Sequence, residues 1–275
     1  MRSHTLASVS AVGEEPVSNL PPFETGSAAA AIAFDEVSKV YGHAGNAVHA
    51  LDRITLHVQP GEFVCLLGAS GCGKSTLLNL VADLDRATTG TVTVDGTTTL
   101  MFQEAALFPW LTVRGNVDLA LRLRKVPKAD RTARVDELLD LVNLREFDKK
   151  RPHELSGGMR QRVALARALS QDSDVLLMDE PFGALDAMTR DILHDELEDL
   201  WARTEKTVLF VTHNVREAVR LGDRVVLLTS RPGRVAEEFA IGIPRPRRID
   251  SPEVANQAAA ITARLREEVR RHGDS

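Results

Sequence analysis

Phe63-Val-Cys-Leu-Leu67 runs straight into Gly68-Ala-Ser-Gly-Cys-Gly73-Lys74-Ser75, and that junction decides how the rest of the chain is read. Five apolar residues without alternation predict a strand covered on both faces. From Lys74 to Asp83 the spacing turns helical. The loop between them has the form G-x-x-x-x-G-K-[ST] in its required context, a strand before and a helix after. Glycines let such a loop wrap an anion with its N–H groups pointing inward, and the helix N-terminus adds partial positive charge. The candidate phosphate-binding residues are therefore Gly68, Ala69, Ser70, Gly71, Cys72, Gly73, Lys74, Ser75 and Thr76. Lys74 offers a point charge to β and γ phosphates, and the Ser75 hydroxyl is a candidate Mg²⁺ ligand. A plain Gly-rich turn before a helix is the alternative, and the motif alone does not say which nucleotide triphosphatase this is.

A second apolar run, Val175-Leu-Leu-Met178, ends in Asp179 and Glu180. A buried parallel strand delivers such a pair to its carboxyl edge, where α/β proteins bind ligands. Asp179 suits a Mg²⁺ shell. Glu180 suits a general base that polarises an attacking water in phosphoryl transfer.

Outward from these two strands the chain alternates in βαβ style. Val208 to Val211 and Arg224 to Leu228 read as further strands, with helices over Thr189 to Trp201 and Asn214 to Leu221. Ahead of the phosphate loop, Ile32 to Tyr41 reads as a strand and Ile54 to Val58 as a half-buried antiparallel one. Thr91 to Thr99 alternates around Asp95-Gly96 and predicts a hairpin. Val113 to Arg124 and Asp130 to Val142 are helical; in the second, Val135, Leu138, Leu139 and Val142 share a face. Ser251-Pro252-Glu253 starts a terminal helix to about Arg271. The expected organisation is a disordered leader over 1–30, a nucleotide-binding α/β domain over 31–245 with a helical insertion near 104–155, and a helical extension over 246–275.

Composition narrows the function classes. The chain has 275 residues, 34 Lys plus Arg against 39 Asp plus Glu, and a formal charge of −5, so it lacks the field of a nucleic-acid binder. Two cysteines, Cys65 and Cys72, make no disulfide framework and no zinc site, which fits a reducing compartment. No apolar run approaches the roughly 18 residues of a membrane span. Arg245, Arg247 and Arg248 form a small basic cluster among prolines, read as a solvated linker or a contact to lipid or partner.

Leu155-Ser-Gly-Gly-Met-Arg-Gln-Arg162 opens a helix before the Asp179 strand, with Ser156 as its cap. Here the sequence resembles the ATP-binding-cassette (ABC) ATPases, whose signature has this Leu-Ser-Gly-Gly form; Met159 stands where Gln is commoner. The resemblance implies an α/β P-loop NTPase fold, a RecA-like core with an antiparallel β subdomain and a helical ABC subdomain. It also implies that Ser156, Gly157 and Gly158 meet the γ-phosphate held by a second copy, so that a homodimer encloses two ATP with Mg²⁺. Other family positions follow in order: Gln103 as the Q-loop glutamine near metal and water, Ala184-Leu185-Asp186 as the D-loop, His213 as the switch histidine on the γ-phosphate. Tyr41 stands where the family stacks an aromatic on adenine. The stretch from Gly90 to Gln103 is shorter than the family pattern.

Within the family, Met101 to Val117, Asp179 to Arg190 and Leu228-Thr-Ser-Arg-Pro-Gly-Arg234 look like the nitrate/sulfonate/taurine branch of bacterial importers. That implies an ATP-hydrolysing subunit at the cytoplasmic face of the membrane, peripheral, bound to integral-membrane permease subunits and served indirectly by an extracytoplasmic solute-binding protein. Leu107, Phe108, Pro109 and Trp110 are apolar at a loop-to-helix corner, as partner surfaces often are. A soluble ABC ATPase that serves no transporter and a phosphate-loop kinase remain the competing classes; the kinase leaves the signature helix unexplained.

Overall fold

The computed structural model describes residues 29–42, 46–183 and 185–273; most of the leader, and Ala184 of the D-loop, lie outside them. Among the described residues nine strands form two sheets. The larger sheet is built on the apolar runs: β3 (Phe63–Leu67), β6 (Val175–Asp179), β7 (Thr207–Val211) and β8 (Arg224–Leu228), with β5 (Thr98–Met101) and β9 (Val235–Ala240) at its edges. Its order is β5-β6-β7-β3-β8-β9, parallel except for β9, which pairs antiparallel with β8. The smaller sheet is antiparallel, β2-β1-β4, from β1 (Ile32–Tyr41), β2 (Val48–Val58) and β4 (Thr89–Val94).

Because side chains alternate along a strand, the continuous apolar runs need cover on both sides. They receive it. Phe63, Cys65, Leu67, Met178 and Phe210 face a core shared with the helices, whereas Val64, Leu66, Leu177, Leu209 and Val211 face a second core under the antiparallel sheet. In that second core Ile32, Phe34, Ile54 and Leu56 pack with Leu77 and Leu78 of α1 (Lys74–Val81). Each such side chain contributes about 1.5–3 kcal/mol by leaving water.

The helical insertion consists of α2 (Val113–Leu123) and α3 (Lys128–Leu141), then two short 3-10 turns before α4 (Gly157–Leu169). Val135, Leu138, Leu139 and Val142 are buried against the helical-side core, as their spacing requires. Arg114 bridges Asp148 (2.9 Å) and Asp136, tying the start of α2 to α3 and to the turn that follows it. α5 (Ala187–Thr204) and α6 (Val215–Leu221) complete the crossovers. α7 (Pro252–Gly273) sends Val254, Ala258 and Ile261 into the same core as the sheet.

Two expectations are corrected. Thr91 to Thr99 is not a hairpin: β4 pairs with β1, and β5 pairs in parallel with β6. The chain changes sheets at Gly96 (φ +96°), where a β-carbon would strike the Asp174 side chain. Asp174 accepts from the Thr97 N–H (2.7 Å) and hydroxyl (2.9 Å), bonds that hold its carboxyl below the usual range, and so ties this turn to the start of β6. A three-residue crossing thus stands where the Gly90–Gln103 stretch looked too short, with the antiparallel edge intact.

The basic cluster is not a solvated linker. Arg247 is 5% exposed, and its guanidinium donates to the carbonyls of Ile243, Val219, Arg220, Gly222 and Ile241; burial pulls its pKa down to about 10. Arg245 lies 4.3 Å over the Trp201 ring and pairs with Asp223 at 2.8 Å. Only Arg248 faces solvent, bound to Asp250.

Candidate active site

The parallel strands end on one edge, and the candidate residues sit there because each directly follows an apolar run: the phosphate loop after β3, Asp179 and Glu180 after β6, His213 after β7, Gln103 after β5. A cleft of about 890 Å³ opens there, lined in part by Ser70, Lys74, Ser75, Thr76, Gln103, Asp179 and Glu180; His213 does not line it and meets it only through Glu180.

The phosphate loop owes its shape to glycine. Gly73 caps α1 at φ +96°, and a β-carbon there would run into Leu51 and the Ala50 carbonyl. α1 begins without a side-chain cap, which leaves its first turn to receive an anion. Lys74 is buried, and its ammonium donates to the Gly68 (2.9 Å) and Ala69 (3.1 Å) carbonyls of its own loop. Those carbonyls satisfy a charge that would otherwise be costly to bury. Cys72 is fully buried beneath the loop, and burial pushes its thiol pKa up.

Asp179 is half-buried. Burial pushes its carboxyl up, the Ser75 hydroxyl bond opposes that, and the Glu180 charge adds to it. Two oxygen donors on one cleft floor are the donor set of a small hard divalent cation that takes its remaining ligands from phosphate and water. Glu180 adopts a left-handed backbone (φ +43°), donates its N–H to the Val211 carbonyl at 3.0 Å, and sets its carboxylate 2.9 Å from His213 Nδ1. His213 is exposed and Glu180 largely shielded. An oriented carboxylate at a phosphate loop can hold a water for in-line attack.

The Q-loop is held from the signature helix. Gln161 of α4 donates to the Gln103 carbonyl at 2.7 Å, and Arg167 donates to the Ala105 (2.8 Å) and Ala106 (2.7 Å) carbonyls. Ser156 caps α4 by accepting the Met159 N–H (3.2 Å); Gly158 packs so tightly on Thr189 that no β-carbon fits. Ser156 and Gly157 are exposed, and the signature triplet does not line the cleft.

Tyr41 does not line it either. Its hydroxyl donates to Asp85 at 2.8 Å, and Lys39 Nζ stands 4.7 Å from its ring centroid. Ala47, Val48, His49 and Ala50, at the start of β2, form part of the cleft wall.

Three contributors carried no local signal. Glu217 reads as an ordinary first-turn acid, yet it is buried, with one carboxylate oxygen 2.6 Å from His194 Nε2 and the other on the Thr212 hydroxyl, one residue before His213. Gln161 reads as part of the signature's polar tail. Arg231 lines the cleft from the β8–β9 loop.

The comparisons agree with this geometry. The ABC transporter family matches residues 51–183. An uncharacterized ABC transporter ATP-binding protein of Methanocaldococcus jannaschii is 45% identical over 86% of this chain and 91% of its own length. The nitrate import ATP-binding protein NrtD of Synechocystis is 46% identical over 76% of this chain and 82% of its own. For the aliphatic sulfonates import ATP-binding protein SsuB of Bacillus subtilis the figures are 44%, 78% and 86%. Among solved structures, a dimeric ATP-binding cassette in a post-hydrolysis state with ADP and Pi superposes with a TM-score of 0.70 at 32% identity, covering 78% of this chain and all of that one. With a phosphate loop, an Asp-Glu strand end and a signature helix in one chain, and relatives spanning most of its length, this protein belongs to the ABC transporter ATP-binding proteins, which bind and hydrolyse ATP.

Proposed function

We propose that the chain is the energising subunit of an importer for a small anionic solute, of the nitrate, alkanesulfonate or taurine type that its relatives' names carry. The observation that carries the reading is a division of labour. One cleft gathers Lys74, Ser75, Gln103, Asp179 and Glu180, while the signature triplet stands outside it at a helix start where Ser156 and Gly157 are exposed and Gly158 is buried. A homodimer in which each copy's signature faces the other's cleft would complete two sites.

In that arrangement Ser75, Asp179 and the Gln103 side chain would hold Mg²⁺, which would supply charge neutralisation on the β and γ phosphates. Glu180 orients and polarises the water, His213 holds the Glu180 carboxylate and reaches the γ-phosphate, and Lys74 exchanges its own loop's carbonyls for phosphate oxygens. ATP then favours the closed dimer because it touches both copies, and hydrolysis removes that differential affinity.

The face toward the membrane would be the apolar groove of about 470 Å³ between the Q-loop, α2 and α4, lined by Phe102, Phe108, Leu119 and Leu123 among others. Trp110 (68% exposed) and Leu123 (76%) stand open nearby, an apolar patch suited to a permease helix. Among the described residues no helix is long and apolar enough to cross a membrane, so attachment would be through that partner on the cytoplasmic face. Solute choice would rest with the permease and an extracytoplasmic binding protein.

The test is capture of partners from native membranes on tagged Glu180→Gln chain with MgATP. A polytopic permease is the expected partner. Soluble partners alone would overturn the importer reading in favour of an ABC ATPase outside transport.

A further inference from the structure

One wall of the nucleotide cleft comes from the loop between β8 and β9, which the sequence marks as part of the branch resemblance but to which no role at the nucleotide is attached. Residues 229–234 close on themselves: the Thr229 N–H donates to the Arg234 carbonyl (2.9 Å), the Thr229 hydroxyl donates to the Pro232 carbonyl (2.9 Å), and the Arg234 N–H returns to that hydroxyl (3.0 Å). The loop is also fastened to β2. Gly233 donates to the Ala50 carbonyl and accepts from the Asp52 N–H, both at 2.9 Å, while the Arg234 side chain pairs with Asp52 (2.8 Å). On its other side Gly233 lies against the Cys72 carbonyl of the phosphate loop, too close for any β-carbon. The result is a bracket seated between β2 and the phosphate loop.

At its tip stands Arg231. Its side chain lines the cleft, and its Nη2 comes within 4.0 Å of the β-carbon position at Gly71, on the phosphate loop itself. Its neighbour Arg234 is neutralised by Asp52, but Arg231 has no hydrogen bond or ion pair among the described residues. The Lys74 ammonium, by contrast, is held by its own loop. A planar, permanently charged donor fork, unpaired and held beside a loop that cradles phosphate, has one natural acceptor there, since guanidinium groups bind phosphate oxygens in pairs.

We infer that Arg231 is a second phosphate-binding cation of this site, contacting the polyphosphate of the bound nucleotide from the β8–β9 side. The inference rests on the cleft being the nucleotide site. Stacking of the guanidinium on the base is the other contact an arginine could make. The 4.0 Å approach of its Nη2 to Gly71 on the phosphate loop favours the phosphates.

The experiment titrates the full chain with N-methylanthraniloyl derivatives of ATP and of GTP, comparing wild type, Arg231→Ala and Arg231→Lys. An exposed charge-assisted contact predicts that Arg231→Ala weakens both nucleotides by the same factor, about 10-fold, because both carry the same triphosphate. Arg231→Lys should lose about threefold, keeping the charge without the fork. The melting temperature of the ligand-free chain should not move, because no partner is lost. Unchanged affinity in Arg231→Ala would overturn the inference, and so would a loss confined to one base, which would reassign the residue to base recognition. Wild-type chain that binds neither nucleotide would sink the nucleotide reading of the cleft itself, a separate result.

Discussion

Two helices in this chain start at glycine, α1 after the Gly73 cap and α4 with Gly157 and Gly158 behind the Ser156 cap, and their starts differ in everything except the backbone dipole. The α1 start has no side-chain cap, sits inside the cleft, and is surrounded by Lys74, Asp179 and Glu180. The α4 start is already capped by the Ser156 hydroxyl, and its nearby cation Arg160 is turned onto the Leu155 carbonyl at 2.7 Å. A dipole at an exposed helix end is worth only about 0.3–1 kcal/mol to an anion. On the proposed reading the first helix start would hold phosphate with its own chain's charges. The second contributes only when a phosphate is delivered to it, which is what the two-copy reading assigns to it.

The largest effect that bears on this contrast removes chemistry and leaves both helix starts in place. Glu180→Gln keeps the His213 neighbour (2.9 Å) and the side-chain shape but not the base. Turnover should fall about 10²–10⁴-fold while ATP binding persists and ATP-dependent dimers accumulate, read by phosphate release and light scattering. Near-normal turnover would move the base elsewhere and remove the reason for the α1 cleft's acidic wall.

The next effect tests whether the two starts belong to different copies. Lys74→Ala disables the first and Ser156→Arg obstructs the second, so each variant alone should be inactive. Mixed, they form some dimers in which one site joins an intact Lys74 to an intact Ser156. Statistical pairing predicts recovery of about a quarter of wild-type turnover if sites act independently. No recovery would mean that the signature serves its own chain's cleft, and the contrast would collapse.

The parts of this site that were legible in sequence are those whose position follows from a single uninterrupted run. Gly68, Asp179 and His213 come at or just beyond the ends of the unbroken apolar runs Phe63–Leu67, 175–178 and 208–211, and such runs need a sheet covered on both faces, so their ends fall on one edge. The α3 face was legible for the same local reason. What was illegible depended on partners far along the chain. The alternation around Asp95-Gly96 is the same for a hairpin as for a sheet crossing, and Asp174, 77 residues from Thr97, decides between them. Arg247 looks like a surface cation until the carbonyls at the end of α6 are brought to it. Arg231 stood inside a stretch that reads as a branch marker, and only the bracket through Gly233 turns it toward the phosphate loop. Tyr41 likewise gives its hydroxyl to Asp85, a partner 44 residues away that no local pattern announces, while the residue stays 40% exposed.

The smallest effect separates the two helix starts by sign. Burial raises the Asp179 carboxyl above its ordinary value of 3.8 in the ligand-free fold. A raised pKa means that the protonated form is favoured by folding. The stabilising contribution is full below the unfolded value and is lost as pH rises through the folded one. At neutral pH the Asp179 charge therefore costs stability, and Asp179→Asn should raise the melting temperature measured in EDTA by about 2–4 °C at most, a gain that fades toward pH 3. At the α4 start Ser156→Ala removes a cap worth about 1 kcal/mol and should lower the melting temperature by a similar amount, with little pH dependence. Opposite signs would show one helix start built at the expense of the ligand-free fold and the other built into it. Equal signs would mean that the strain at Asp179 is relieved by its Ser75 hydrogen bond, leaving the two starts distinguished by their neighbouring charges alone.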